Sequence, residues 1–151
     1  MDLKSKYGED YILLGGLREY IEEGIILASM NWWRDSLQNF SELEVVERRA
    51  ELLNEDSRFG NSEFLVAFMN EKFENLDFDV PEDAVTSALF LIEQKEGREV
   101  ADLTKELLIL YTVRIAKATK EDYLSFLGIS DEISDAEEQF ISRIKLLFEK
   151  Q

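Results

Sequence analysis

A single proline, Pro81, punctuates the 151 residues of this chain, and only seven glycines accompany it. Proline and glycine are the strongest local breakers of regular structure, so a chain this poor in them runs in long periodic segments. Within those segments apolar residues recur every three or four positions, the repeat that gathers side chains on one face of a helix. No stretch alternates apolar and polar residues as a half-buried strand does, and there is no internal repeat, linker or low-complexity run. The expected architecture is all-α: a compact single-domain bundle of about six or seven helices over residues 1–151, with 1–10 as a candidate flexible lead-in.

The first long helix is expected over Leu17–Trp33. Leu17, Tyr20, Ile21, Ile25, Ala28 and Trp32 form its apolar stripe, and Arg18, Glu19, Glu22 and Glu23 fall on the other side. Gly15-Gly16 is the expected break from a shorter turn after Asp10, since each glycine costs about 1 kcal/mol of helix propensity against alanine. Ser41-Glu42-Leu43-Glu44 has the reciprocal serine and glutamate spacing of a capping box and predicts a second helix carrying Val46, Ala50 and Leu53. Ser62 is placed to cap a third, whose face holds Phe64, Leu65, Phe68, Met69, Phe73 and Leu76. At helical spacing, this run of phenylalanines reads as core.

Asp79-Val80-Pro81-Glu82 has the acids and first-turn proline of a helix entry. The helix it opens buries Ala84, Val85, Ala88, Leu89 and Ile92 and stops near Gly97. Arg98 to Ala118 follows as the expected central helix. Its stripe of Val100, Leu103, Leu107, Leu110, Tyr111 and Ile115 is widened beyond one face by Leu108 and Ile109. Thr119 is read as capping a separate short turn through Tyr123, Leu124 and Leu127, closed by Gly128. Ser134-Asp135-Ala136-Glu137 is a second capping box and opens a last helix with Phe140, Ile141, Ile144, Leu147 and Phe148.

Charge narrows the functional classes. Lysine and arginine total 17 against 33 acids, a net charge of −16, with no histidine and no cysteine. Phosphate backbones and anionic lipid headgroups are bound largely through lysine and arginine, so direct nucleic-acid and membrane-surface binding are disfavoured. Without cysteine or histidine there is no disulfide, zinc finger, thiol nucleophile, Ser-His-Asp triad or histidine metal ligand. Histidine-containing di-iron bundles are excluded for the same reason. The amino terminus has no apolar signal segment and no run of apolar residues is long enough to span a bilayer, so a cytoplasmic location is expected.

Acids concentrate between Glu71 and Asp83 and between Glu121 and Glu138. Acids at helix entries stabilise them, and the same clusters form an electronegative surface able to steer a basic partner. A calcium-loop register from Asp131 fails, because Ile133, Ala136 and Ser142 stand where an oxygen ligand, a glycine and a glutamate are needed. Asp131 to Glu137 resembles the acidic helix entry of TerB-like tellurite-resistance proteins, which are also small, acidic and all-helical. It covers a small part of the chain and lacks the glycine expected after the first aspartate, so it assigns no family. Gly15-Gly16, followed by Leu17-Arg18, matches neither phosphate-binding glycine pattern.

Met30-Asn31-Trp32-Trp33-Arg34 holds both tryptophans. Adjacent helical residues diverge by about 100°, so Trp32 is expected in the core and Trp33 at the periphery, where tryptophan beside arginine is typical of interface anchors. The partner-binding residues selected on these grounds are Asp77, Asp79, Glu82 and Asp83, with Trp33 and Arg34 as an apolar anchor elsewhere. The expected function is a non-enzymatic, acidic protein-binding module, an inhibitor or immunity-type protein that neutralises a basic partner such as a nuclease toxin. No catalytic residue, metal or cofactor is assigned. The alternatives are a carboxylate-based metal-binding helical protein, TerB-like in general character, and a homo-oligomeric adapter.

Overall fold

The computed structural model describes residues 1–29, 45–73, 82–127 and 135–149; for 26–29, 118–127 and 135–136 the description is of the backbone. All regular structure among these residues is helical, which establishes the all-α class. Helix α1 (Leu3–Tyr7) starts at Asp2, whose carboxylate accepts hydrogen bonds from the Ser5 amide (3.3 Å) and hydroxyl (2.8 Å). Its Leu3 and Tyr7, one turn apart, are both buried. The first ten residues are therefore tied to the core through α1 and the 3₁₀ turn Gly8–Asp10.

Helix α2 (Tyr11–Ser29) runs through Gly15 and Gly16 without a break. The helix begins six residues before the expected start at Leu17, because Leu14, Leu17, Ile21 and Ile25 are all fully buried along one face. Burying side chains of this size contributes about 1.5–3 kcal/mol each, enough to outweigh the propensity cost of two glycines. Trp32 and Trp33 lie outside the described residues.

Residues 45–47 form a helical turn that continues into a 3₁₀ segment, Arg49–Asn54, burying Leu52 and Leu53. The stripe expected there as one α-helix is thus split between a helical turn and a tighter helix; Ser41 to Glu44 lie outside the described residues. One-turn helix α3 (Ser57–Gly60) is capped by Asp56, which accepts from the Arg58 amide at 2.9 Å, and buries Phe59. Helix α4 (Glu63–Asn70) starts at Ser62, whose hydroxyl oxygen accepts from the Leu65 amide at 3.3 Å, as its sequence position predicted. Ser62→Ala is expected to cost about 1 kcal/mol, the usual worth of such a cap, and urea denaturation measures it. Phe64, Leu65, Phe68 and Met69 are buried; Phe73 lies beyond the helix end and Leu76 outside the described residues.

Helix α5 (Glu82–Glu96) buries Val85, Ala88, Leu89 and Ile92. Gly97 alone separates it from α6 (Arg98–Leu127), with φ at +98°, in the region that favours glycine. Helix α6 is one continuous helix of 30 residues. The separate turn read after Thr119 is therefore not present: neither proline nor glycine occurs between Arg98 and Leu127, and one threonine lowers helix propensity too little to end a helix. Helix α7 (Asp135–Glu149) begins where the Ser134 box predicts and buries Ile141, Ile144, Leu147 and Phe148.

The four long helices make the core. α2 packs against α5, α6 and α7, and α6 packs against α5 and α7, so α2 shares the central position expected of α6 alone. The shorter elements from the 3₁₀ segment to α4 pack on one another and on α6. An aromatic column closes this end of the core: Tyr7 and Phe64 have ring centroids 6.1 Å apart, Phe64 and Phe68 5.6 Å, and Phe68 and Phe73 6.1 Å.

Candidate binding surface

Of the acids selected from sequence, Glu82 and Asp83 are described, and Asp77 and Asp79 are not. Both described acids are exposed at the entry of α5. They differ in their surroundings. Glu82 Oε1 accepts from the Tyr20 hydroxyl at 3.3 Å and lies 3.1 Å from Arg143 Nε, so it ties α5 to both α2 and α7. Asp83 keeps its carboxylate at the surface, and its backbone oxygen accepts from the Thr86 hydroxyl at 3.0 Å. The anchor residues Trp33 and Arg34 fall outside the described residues, so the structure brings together only Glu82 and Asp83 of the selected set. In the second acidic cluster, Glu137 is buried on α7 and Glu138 is exposed, while Asp131 and Glu132 lie outside the described residues. Among the described residues, no three acid, histidine or cysteine side chains converge as a metal site.

The structure shows a charged constellation that sequence reading placed on the solvated side of α2. Arg18 is only 6% exposed. Its Nε lies 3.1 Å from Glu22 Oε1 one turn along α2, and its Nη1 donates to the Phe68 carbonyl at 2.7 Å. The guanidinium also lies 4.7 Å from the centre of the Phe73 ring, a cation–π contact. Arg49 approaches the same region from the 3₁₀ segment, donating to the carbonyls of Val46 (2.9 Å), Met69 (2.8 Å) and Glu71 (3.1 Å). The two arginines thus meet the carboxyl end of α4. The last carbonyls of a helix have no partner within it and carry partial negative charge, so cations held there satisfy both needs at once.

Glu22 completes this cluster and carries its electrostatic cost. Burial pushes its carboxyl above the usual range, against the attraction of Arg18 and Arg49, and burial also pulls Arg18 below its ordinary value. Both shifts favour the neutral forms, so mutual attraction does not fully offset the loss of water around the pair. The Tyr111 hydroxyl of α6 adjoins Glu22; burial first, and that carboxylate second, drive the phenol far above its normal range. Arg18 and Arg49 are engaged in closing the carboxyl end of α4, so their role is structural. The cluster's sequence mark was the spacing: 14, 18 and 22 are each one turn apart, which puts Arg18 and Glu22 beside fully buried Leu14 rather than opposite it.

The remaining feature is at the surface. On the outer side of α6, Ile109, Leu110 and Val113 remain partly exposed and, with Phe59, floor an open groove of about 560 Å³ rimmed by Glu55, Asp56 and Glu106. Arg58 reaches over it, with Nη2 2.8 Å from Asp56 Oδ2 and Nη1 3.4 Å from Glu106 Oε2. Of these, Leu110 belongs to the apolar stripe expected on this helix and Ile109 to its extra width, whereas Leu108, the other widening residue, is buried.

Compared with protein-family models, with curated proteins and with solved structures, the chain matches none. No helix among the described residues is long and apolar enough to cross a membrane.

Proposed function

We propose that this protein is a non-enzymatic, acidic binding module of the cytoplasm that neutralises a basic protein, in the manner of an inhibitor or immunity-type protein acting on a nuclease toxin. The observation that carries the reading is a net charge of −16 on a compact helical frame without histidine or cysteine. A surface of this sign repels nucleic acid and attracts the cationic proteins that bind it. The burial of Arg18 adds to the effect, because that cation serves the interior rather than diluting the surface acidity.

Affinity capture of the tagged protein from its native lysate at low and then high salt is the direct test. A single basic protein is expected to be retained at low salt and released at high salt. The association rate of the purified pair is expected to fall about tenfold or more as the screening length shortens from about 30 Å at 0.01 M to about 8 Å at 0.15 M salt. A partner whose association rate is insensitive to salt would remove the electrostatic basis of the reading.

A further inference from the structure

We propose that the groove on the outer face of α6 is where a partner docks, and that its occupant is a short basic amphipathic helix. This rests on the reading of the protein as a binder of basic proteins and gives that reading a location. The floor comes from the arrangement of α6: Leu107, Leu108 and Tyr111 are fully buried against the rest of the bundle, while Ile109, Leu110 and Val113 remain partly exposed. A helix whose apolar arc is wider than its neighbours cover leaves an unsatisfied strip, the setting in which an amphipathic helix lays its own apolar face into a groove. From Glu106 to Val113 the strip runs roughly 10 Å, two turns of a partner helix.

The rim selects the sign of that helix. Glu55, Asp56 and Glu106 border the apolar floor, and each already holds an arginine of this chain: Arg58 bridges Asp56 and Glu106, and Arg114 Nη2 lies 3.1 Å from Glu55 Oε1. The rim carboxylates therefore stand where guanidinium groups are received. Arg58 is 57% exposed and Arg114 45%, and exposed ion pairs of this kind contribute about 0–1 kcal/mol, so incoming arginines displace them at little cost. A second copy of the chain would bring the same acids against these, which disfavours self-association as the way this strip is covered. The groove is too open to enclose a small molecule, which needs most of its surface buried.

The test uses the full-length protein and two synthetic helical peptides of about 14 residues built from leucine, alanine and arginine. In one, leucines follow helical spacing and arginines flank them; in the other, the same residues are scrambled so that no stripe forms. At about 150 mM salt the striped peptide is expected to shift the methyl resonances of Ile109, Leu110 and Val113 saturably and to bind about tenfold tighter than the scrambled one. Glu106→Lys, an exposed change, and Val113→Glu, at the floor, are each expected to weaken it about tenfold. Melting curves of both variants show whether the fold is retained, and Glu106→Lys alone carries the test if Val113→Glu unfolds. Equal binding of the two peptides with no response to Glu106→Lys would overturn the groove and leave the basic-partner reading standing. Failure of both peptides to bind even at low salt would overturn both. Floor shifts that depend on protein concentration without peptide would show a second copy in the groove and overturn the proposal.

Discussion

Replacing Arg18 with methionine is expected to lower the free energy of unfolding by about 3–5 kcal/mol at neutral pH, measured by urea denaturation. The substitution keeps much of the apolar stem but removes the charge facing Glu22 and the donor to the Phe68 carbonyl. A carboxylate is then left in the interior with less compensation, which costs more than the intact pair contributed. The double variant Arg18→Met/Glu22→Met is expected to recover much of the loss, since an apolar pair of similar volume replaces an incompletely compensated ion pair. A double variant no more stable than the single one would show that the deficit comes from the lost Phe68 bond instead.

The same variant has a pH signature. In the native protein burial raises the folded pKa of Glu22 above its unfolded value. A carboxyl shifted that way contributes stability that is complete below the unfolded pKa, about 4.3, and is lost as pH rises through the folded pKa. Removing Arg18 takes away an attraction that opposes the shift, so the folded pKa rises further and the loss above it grows. The deficit of Arg18→Met relative to the native protein is therefore expected to narrow as pH is lowered from about 7 towards about 5, where Glu22 is increasingly neutral. A deficit constant over that range would show that Glu22 is not the group responsible.

Gly24→Ala tests the contact between α2 and α7. A Cβ at Gly24 would fall against the ring edge of Phe140, at Cε2 and Cζ. Alanine in a helix is ordinarily more favourable than glycine by about 1 kcal/mol, so at an open position the change stabilises. Here it is expected to destabilise by about 1–3 kcal/mol, the usual cost of forcing extra volume into a packed contact. Shortening the ring with Phe140→Leu in the Gly24→Ala background is expected to reduce the penalty, giving a non-additive cycle that identifies the contact itself. A stabilised single variant would show that the two helices do not approach this closely.

Much of the architecture was legible in the residues. The period of the apolar positions identified the all-α class and the buried sides of α4, α5 and α7, because i, i+3 and i+4 positions share a face regardless of what lies opposite. Ser62 and Gly97 marked boundaries through purely local chemistry, a hydroxyl for a free amide and a backbone able to take positive φ. Where local preference was weak, it misled. Gly15-Gly16 and Thr119 read as boundaries, yet α2 and α6 run through them, since burying one continuous helix face outweighs about 1 kcal/mol at a residue.

Of the acids selected for partner binding, the structure places Glu82 in a tie between helices and leaves Asp83 at the surface, a difference made by the neighbours Tyr20 and Arg143 rather than by anything local to α5. The same holds for α2. By itself the sequence determined that the chain is helical, where several helices begin and end, and that its surface carries a large excess of negative charge. Only the tertiary structure decided that Arg18 is interior with Glu22 beside it, that Gly24 faces the ring of Phe140 and that Ile109, Leu110 and Val113 remain partly exposed. The physical reason is that helical spacing fixes which residues share a face, whereas burial depends on whether another element, brought in from elsewhere in the chain, covers that face.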